Sequence, residues 1–309
     1  MAEINAGLQT LLERLARFRK PQSEKAQRLA LAFAAIAFIG LGVLAAISFP
    51  DDVDLIPNWP LLLALVLVGP AATISCNAAE YMLQNRLVGS SVSFLTAARI
   101  SVLGTAANLL PLPGSALVRT QSIAASGAGY KKATSSTALV GVAWLGVSAL
   151  LAGPAAFVSD AKLVGLVATL AGLVLVWVSY TWVSRLCEAG SRAGVFGMIL
   201  LVESATTIVG ALRLLGIVVG LGLGADITEA QTLALSLAGA VAAATGILPA
   251  GLGIREALSA ALASVVGLAA SVGFIAAAAD RIMGLLVVGL VAGALTVRKR
   301  DAEDRSAIN

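Results

Sequence analysis

The chain has 309 residues, 59% of them hydrophobic and 12% charged, with a formal net charge of +4. Soluble domains carry roughly 25% charged residues, and a mean hydropathy of +0.94 places this chain among polytopic helical membrane proteins instead. Histidine is absent and the two cysteines, Cys76 and Cys187, form no metal-ligand spacing. No metal, cofactor, disulfide or nucleic-acid partner is therefore expected.

Residues 1–28 carry Ile4, Leu8, Leu11, Leu12, Leu15 and Phe18 at helical spacing, with Arg14, Arg17, Arg19 and Lys20 in the same segment. That pattern predicts an amphipathic helix on an anionic membrane face, or a basic anchor for the first span. The first long apolar run begins near Leu29 and is as long as a full span, so a cleavable signal peptide is not expected.

Six runs reach the roughly 20 residues a bilayer needs: 29–49, 59–83, 134–157, 163–182, 195–221 and 271–297. Two further apolar segments, about 92–125 and about 228–268, are each split by a Pro/Gly cluster. The first cluster contains Pro111, Pro113 and Gly114; the second contains Pro249, Gly251 and Gly253. Each is followed by an arginine, Arg119 and Arg255 respectively.

Basic residues discriminate between a split segment that crosses and one that returns. If both segments return as re-entrant hairpins, Arg86, Lys131, Lys132, Arg185, Arg192 and both basic tails lie inside. The acids Asp51, Asp52, Asp54, Asp160, Asp226 and Glu229 then lie outside, with Lys162 as the lone base. That satisfies the positive-inside rule. An eight-span count, the alternative, breaks it at Lys131, Lys132, Arg185 and Arg192. The expected fold is thus all-α, with about six full spans and two re-entrant hairpins.

Three spans separate the hairpins, so the halves 29–157 and 163–297 would be inverted repeats within one membrane domain, 29–297, followed by a cytoplasmic tail, 298–309. Opposed broken helices meeting near mid-membrane mark transporter sites. Gly216, Gly220 and Gly224 repeat at a spacing of four, as do Gly289 and Gly293, which suits close helix packing. Gly127-Ala128-Gly129 has no strand before it and no third glycine, so it is not a nucleotide loop.

Nine ionisable residues fall inside apolar segments: Glu80, Arg99, Arg119, Glu203, Arg213, Arg255, Glu256, Asp280 and Arg281. Such groups face a protein interior or a wet cavity. Glu80, Arg99 and Arg213 also fit a snorkelling role near an interface. A new helix is expected from Ile254, its free N–H groups forming an anion site beside Arg255. Arg119 would serve similarly from the first hairpin. Glu203, Glu256 and Asp280 would balance these arginines, bind a cationic headgroup part, or carry protons. Pairs such as Arg255–Asp280 and Arg119–Glu203 would equally serve as purely structural ties. Adjacent Asp280 and Arg281 point to different helix faces and should have separate partners.

Two stretches carry a family resemblance: Asn108 through Gly114 with Arg119, and Leu248-Pro249-Ala250-Gly251-Leu252-Gly253-Ile254-Arg255-Glu256-Ala257. They resemble the signature regions of the lysylphosphatidylglycerol synthase transmembrane domain, or flippase-like domain, family. The likeness extends loosely over residues 25–297. The first stretch departs from the usual glycine-rich form, reading Pro113-Gly114-Ser115-Ala116.

The resemblance implies a domain that moves aminoacylated phosphatidylglycerol between leaflets. The chain stops soon after Arg300, so the synthase activity of bifunctional relatives is not expected. The expected function is translocation of an anionic or aminoacylated phospholipid across the cytoplasmic membrane, with both termini cytoplasmic. The alternatives are translocation of an isoprenoid-phosphate lipid, or a non-transporting scaffold for a lipid-modifying enzyme. An intramembrane enzyme is disfavoured, because no nucleophile–base motif is present. With no nucleotide motif, transport would be passive or ion-coupled. The expected partners are a membrane phospholipid, a lipid-modifying enzyme, and further copies of the chain.

Overall fold

The computed structural model describes residues 56–108, 114–186, 192–223, 227–245 and 253–308. The amphipathic segment 1–28, the span 29–49, Pro111, Pro113, Pro249, Gly251 and Cys187 lie outside them. Among the described residues all regular structure is helical, in this order: α1 Trp59–Leu87, α2 Phe94–Ala107, α3 Gly114–Ile123, α4 Tyr130–Val158, α5 Lys162–Leu186, α6 Arg192–Leu221, α7 Glu229–Thr245, α8 Ile254–Val265 and α9 Ala270–Ile308. Five are long and apolar enough to cross a membrane: α1, α4, α5, α6, and α9 over Ala270–Val291. They coincide with five of the six predicted runs. A multi-pass membrane protein follows from them.

Local signals explain the boundaries. Asn58 caps α1 by accepting from the Leu61 amide at 3.2 Å, and Pro60 occupies the first turn, where no N–H is needed. Ser93 caps α2 through the Thr96 amide. At α7, Thr228 and Gln231 form a reciprocal box: the Gln231 amide donates to Thr228 Oγ1 at 3.2 Å, and the Thr228 amide to Gln231 Oε1 at 2.9 Å. A π-helical turn, Ala124–Ala128, ends α3; Gly127 and Gly129 then take φ of +94° and +77°, which a side chain would resist.

The split segments each form a pair of short helices packed on each other. In the second, the start of α7 meets the end of α8: Gln231 Nε2 donates to the Val266 carbonyl at 2.9 Å. The pair therefore doubles back. In the first, the Ser115 amide donates to Asn108 Oδ1 at 2.7 Å across the turn. Ile100, Val118 and Ile123 share one buried cluster with Ala78 and Tyr81 of α1.

α4 is the central helix, packed against α5, α6, α7 and α3. Its contact with α5 is backbone on backbone. A Cβ built on Gly165 would lie 2.6 Å from the Gly153 carbonyl oxygen, and one on Gly172 would lie 2.7 Å from the Leu150 amide nitrogen. Small residues permit such approaches, and dispersion rather than the hydrophobic effect holds helices together in lipid. The predicted glycine spacing on α6 is also used: Gly216 and Gly220 face Leu65 and Leu62 of α1. The Asn58 amide closes that contact on the Gly220 carbonyl at 2.8 Å.

Gly165→Val should drive α4 and α5 apart and destabilise the fold by about 1–3 kcal/mol. Gly197→Ala, where an added Cβ meets nothing within 4 Å, should be close to neutral. Unfolding of the purified protein in detergent compares the two.

Candidate functional site

Charge in an apolar helix bundle must find a partner or a wet cavity, and here both occur together. A cavity of about 520 Å³ lies among the helices, lined by Arg119, Glu203, Arg213, Arg255, Asp280 and Arg281. Its size falls in the range of roughly 300–1,000 Å³ typical of small-ligand sites.

The walls follow from helical spacing. On α1 the lining residues include Thr73, Asn77, Glu80 and Gln84; on α6, Glu203, Thr206, Thr207, Gly210 and Arg213; on α4, Thr137, Gly141, Trp144 and Ser148. The α1 and α4 sets step by three or four residues, and the α6 set recurs at the same spacings with Thr206 and Thr207 side by side, so each is one stripe on one helix face. α2 and α3 close one side with Thr105, Asn108, Ser115 and Arg119, while Ser236 and Gly239 of α7 and Arg255 of α8 contribute the rest.

Five of the six predicted site residues line this cavity: Arg119, Glu203, Arg255, Asp280 and Arg281. The sixth, Glu256, sits directly behind it and is fully buried. Gly253, at φ +82°, turns the chain into α8, which starts at Ile254 as expected. The Gly253 amide donates to Glu256 Oε2 at 2.9 Å, so Glu256 caps its own helix. Gly114 opens α3 with its Cα against Ala107, and an added Cβ would overlap the Ala107 carbonyl.

Among the described residues four ion pairs organise the cavity charges. Arg255 meets Asp280 at 2.6 Å and Arg281 meets Glu256 at 3.0 Å. Two neighbouring residues of α8 thus pair reciprocally with two neighbouring residues of α9, and Asp280 and Arg281 have the separate partners their adjacency requires. Arg213 of α6 meets the other oxygen of Asp280 at 2.6 Å, and also donates to Thr73 Oγ1 on α1 at 2.7 Å. Arg119 of α3 meets Glu80 of α1 at 2.5 Å.

Two of these placements depart from the sequence reading. Arg119 pairs with Glu80, not Glu203, and Glu80 is a largely buried wall residue, its side chain 13% exposed, rather than a snorkelling one. Arg213 turns inward onto α9 rather than outward to an interface. Its stem lies over α1 at Gly69, where an added Cβ would stand 3.2 Å from Arg213 Cδ. Glu203 is 1% exposed and, among the described residues, neither carboxyl oxygen has a hydrogen-bond partner. The charges acting on it are Glu80 and Arg119.

The cavity therefore has two poles. Around Asp280, two guanidiniums face one carboxylate, beside the neutral Arg281–Glu256 pair. Around Arg119, the Glu80 carboxylate and the buried Glu203 carboxyl group face one guanidinium. Among the described residues no cluster of His, Cys, Asp and Glu suited to a metal occurs. Comparison with protein-family models, curated proteins and solved structures finds no match to the chain.

Removing one member of a buried ion pair strands the other. Arg281→Leu should destabilise the protein by about 3–5 kcal/mol, because it leaves the fully buried Glu256 carboxylate without Arg281. Adding Glu256→Leu to that variant should restore much of the loss. Unfolding curves of the single and double variants measure the difference.

Proposed function

We propose that this protein is a multi-pass translocase for an anionic or aminoacylated phospholipid of the cytoplasmic membrane. The observation that carries the reading is a single charged cavity, lined by Arg119 and Arg255 together, among helices long and apolar enough to span a bilayer. A headgroup phosphate leaving water must exchange its hydration for fixed donors, and guanidinium forks suit phosphate oxygens. The acidic pole at Glu80 and Glu203 suits the ammonium of an aminoacyl group. Acyl chains would stay in lipid while the headgroup passes through the cavity.

In this reading α2–α3 and α7–α8 are re-entrant pairs entering from opposite faces, in two inverted halves. Their Pro/Gly turns would supply the flexibility for alternating access, and both termini would face the cytoplasm. Transport would be passive or ion-coupled, with no catalytic step. The resemblance to flippase-like domains points the same way. One observation favours a second reading. The arginines and carboxylates largely satisfy one another, as they would in a scaffold that only docks a lipid-modifying enzyme.

The topology is tested on a background with both native cysteines replaced. Ser90→Cys and Ser126→Cys, which flank α2–α3, should both react with an impermeant thiol reagent from the cytoplasmic side. Ser159→Cys should react from outside. Reaction of Ser90→Cys and Ser126→Cys from opposite sides would establish the eight-span count instead.

Function is tested in proteoliposomes with labelled phosphatidylglycerol and its lysyl form. The wild type should move at least one of them between leaflets. The Arg119→Ala, Arg255→Ala double variant, folded by its unfolding profile, should move neither. A folded wild type that moves neither lipid would shift the assignment to an isoprenoid-phosphate substrate or to the scaffold.

A further inference from the structure

Arg213 is a cavity residue that its depth along α6 alone would place at an interface, and its geometry is specific. Its two terminal nitrogens are fixed from both sides: Nη1 donates to Thr73 Oγ1 at 2.7 Å, and Nη2 lies 2.6 Å from Asp280 Oδ1 and 3.3 Å from the Asp280 carbonyl. Arg255 Nη2 donates to Asp280 Oδ2 at 2.6 Å. One carboxylate is thus gripped by two guanidiniums, one nitrogen on each oxygen. That is how two arginines would hold a phosphate through two of its oxygens.

The surroundings leave room for this. Gly239 lies under Arg255 and Gly284 beside Arg213, where added Cβ atoms would stand 3.7 Å from Arg255 Nε and 3.6 Å from Arg213 Nη2. The Arg255 side chain is 25% exposed, against 6% for Asp280. Its free edge therefore faces the cavity while the carboxylate lies behind. The charge is also unbalanced, with Arg281 engaged by Glu256. At the opposite pole Arg119 is engaged one-to-one by Glu80, with the buried Glu203 carboxyl group beside it, so no excess guanidinium is left there for an anion.

We propose that Arg213 and Arg255 together form the phosphate subsite of the cavity, and that Asp280 is its built-in competing anion, displaced from the two arginines when a phosphate monoanion or diester enters. The proposal rests on reading the cavity as a site for a phosphate-bearing ligand. It adds Arg213 as a binding residue and gives Asp280 a role opposite in sign to that of a substrate ligand. Displacement need not unmoor Arg213. Thr73 and the Asp280 carbonyl still hold its guanidinium when the carboxylate lets go.

The test measures binding to the purified protein in an uncharged detergent, using dioctanoyl phosphatidylglycerol and, separately, inorganic phosphate. Arg213→Gln leaves Arg255 and Asp280 as a balanced pair, so it should fold like wild type. It should nonetheless bind the probe about tenfold or more weakly, the loss of a charge-assisted hydrogen bond. Asp280→Asn should bind roughly threefold to tenfold more tightly, since the competing charge is gone while the Thr73 and carbonyl contacts remain. If Asp280→Asn does not fold, Arg213→Gln decides alone.

Unchanged binding by folded Arg213→Gln would overturn the proposal while leaving the lipid reading intact. So would weakened binding by a folded Asp280→Asn. The expected pattern with inorganic phosphate but no binding of the lipid would support the subsite and sink the lipid translocase. A folded wild type that binds neither probe would sink both.

Discussion

Neutralisation of charge inside an apolar bundle is the constraint on which this structure turns. Arg255 and Glu256 of α8 face Asp280 and Arg281 of α9, and each acid finds the other helix's base. In a low-dielectric interior neither pair tolerates a slip in register, because a shift of one residue would bring like charges together. The short helix α8, with 12 residues, is too short to span a bilayer by itself. It is positioned by these two pairs and by the Gln231–Val266 hydrogen bond at its far end. α3, with 10 residues, is tied to α1 in the same manner by Arg119 and Glu80.

The long helices are held by a different means. α4 and α5 meet through glycine on backbone, with no charge at the contact, and α6 meets α1 through Gly216 and Gly220. Close-packed interfaces of this kind do not reorganise in small steps. Ion pairs in a cavity do, because an incoming ion offers each partner an exchange. The division places rigidity in α4, α5 and the α1–α6 contact, and places exchangeable contacts where the short helices meet the cavity. Arg213 joins the two regions: it sits on α6, is braced by α1 through Thr73, and reaches α9 at Asp280.

Much of this was legible in the chain. The split segments, the helix beginning at Ile254 and the divergent partners of Asp280 and Arg281 follow from local chemistry, whereas the Arg255–Asp280 pair joins two helices and is set by packing. The helices extend beyond the apolar runs that mark them. The run from 134 became a helix from Tyr130, because hydropathy falls at Lys131 and Lys132 while backbone hydrogen bonding continues past them. Depth along the helix alone puts Glu80 and Arg213 near an interface; the helix face they occupy puts them in the cavity. The missing signal lay in the spacing. Thr73, Asn77, Glu80 and Gln84 form a polar stripe on α1, and Glu203, Thr206, Thr207, Gly210 and Arg213 form another on α6. A stripe on an otherwise apolar helix means an inward face. Which acid would take Arg119 was not legible, since Glu80 and Glu203 lie on different helices and their approach is set by packing.

If the protein is the translocase proposed above, the two poles of the cavity divide the path of its substrate. Ten positions separate Glu203 from Arg213 on α6, about 15 Å of helix at 1.5 Å per residue, or half of a hydrocarbon core roughly 30 Å thick. A headgroup with only a phosphate would be attracted at the Arg213 end and would meet an Arg119 already paired with Glu80 at the Glu203 end, and so would gain little from the second half of its path. A headgroup that also carries an ammonium finds a complement at each pole, whichever group leads. Uniformly basic lining would trap a phosphate rather than pass it, since a ligand held equally tightly at every depth has no reason to leave. Opposed poles let each favourable contact be made and then surrendered. The orphaned Glu203 carboxylate, with no hydrogen-bond partner among the described residues, is the group best placed to make the second contact.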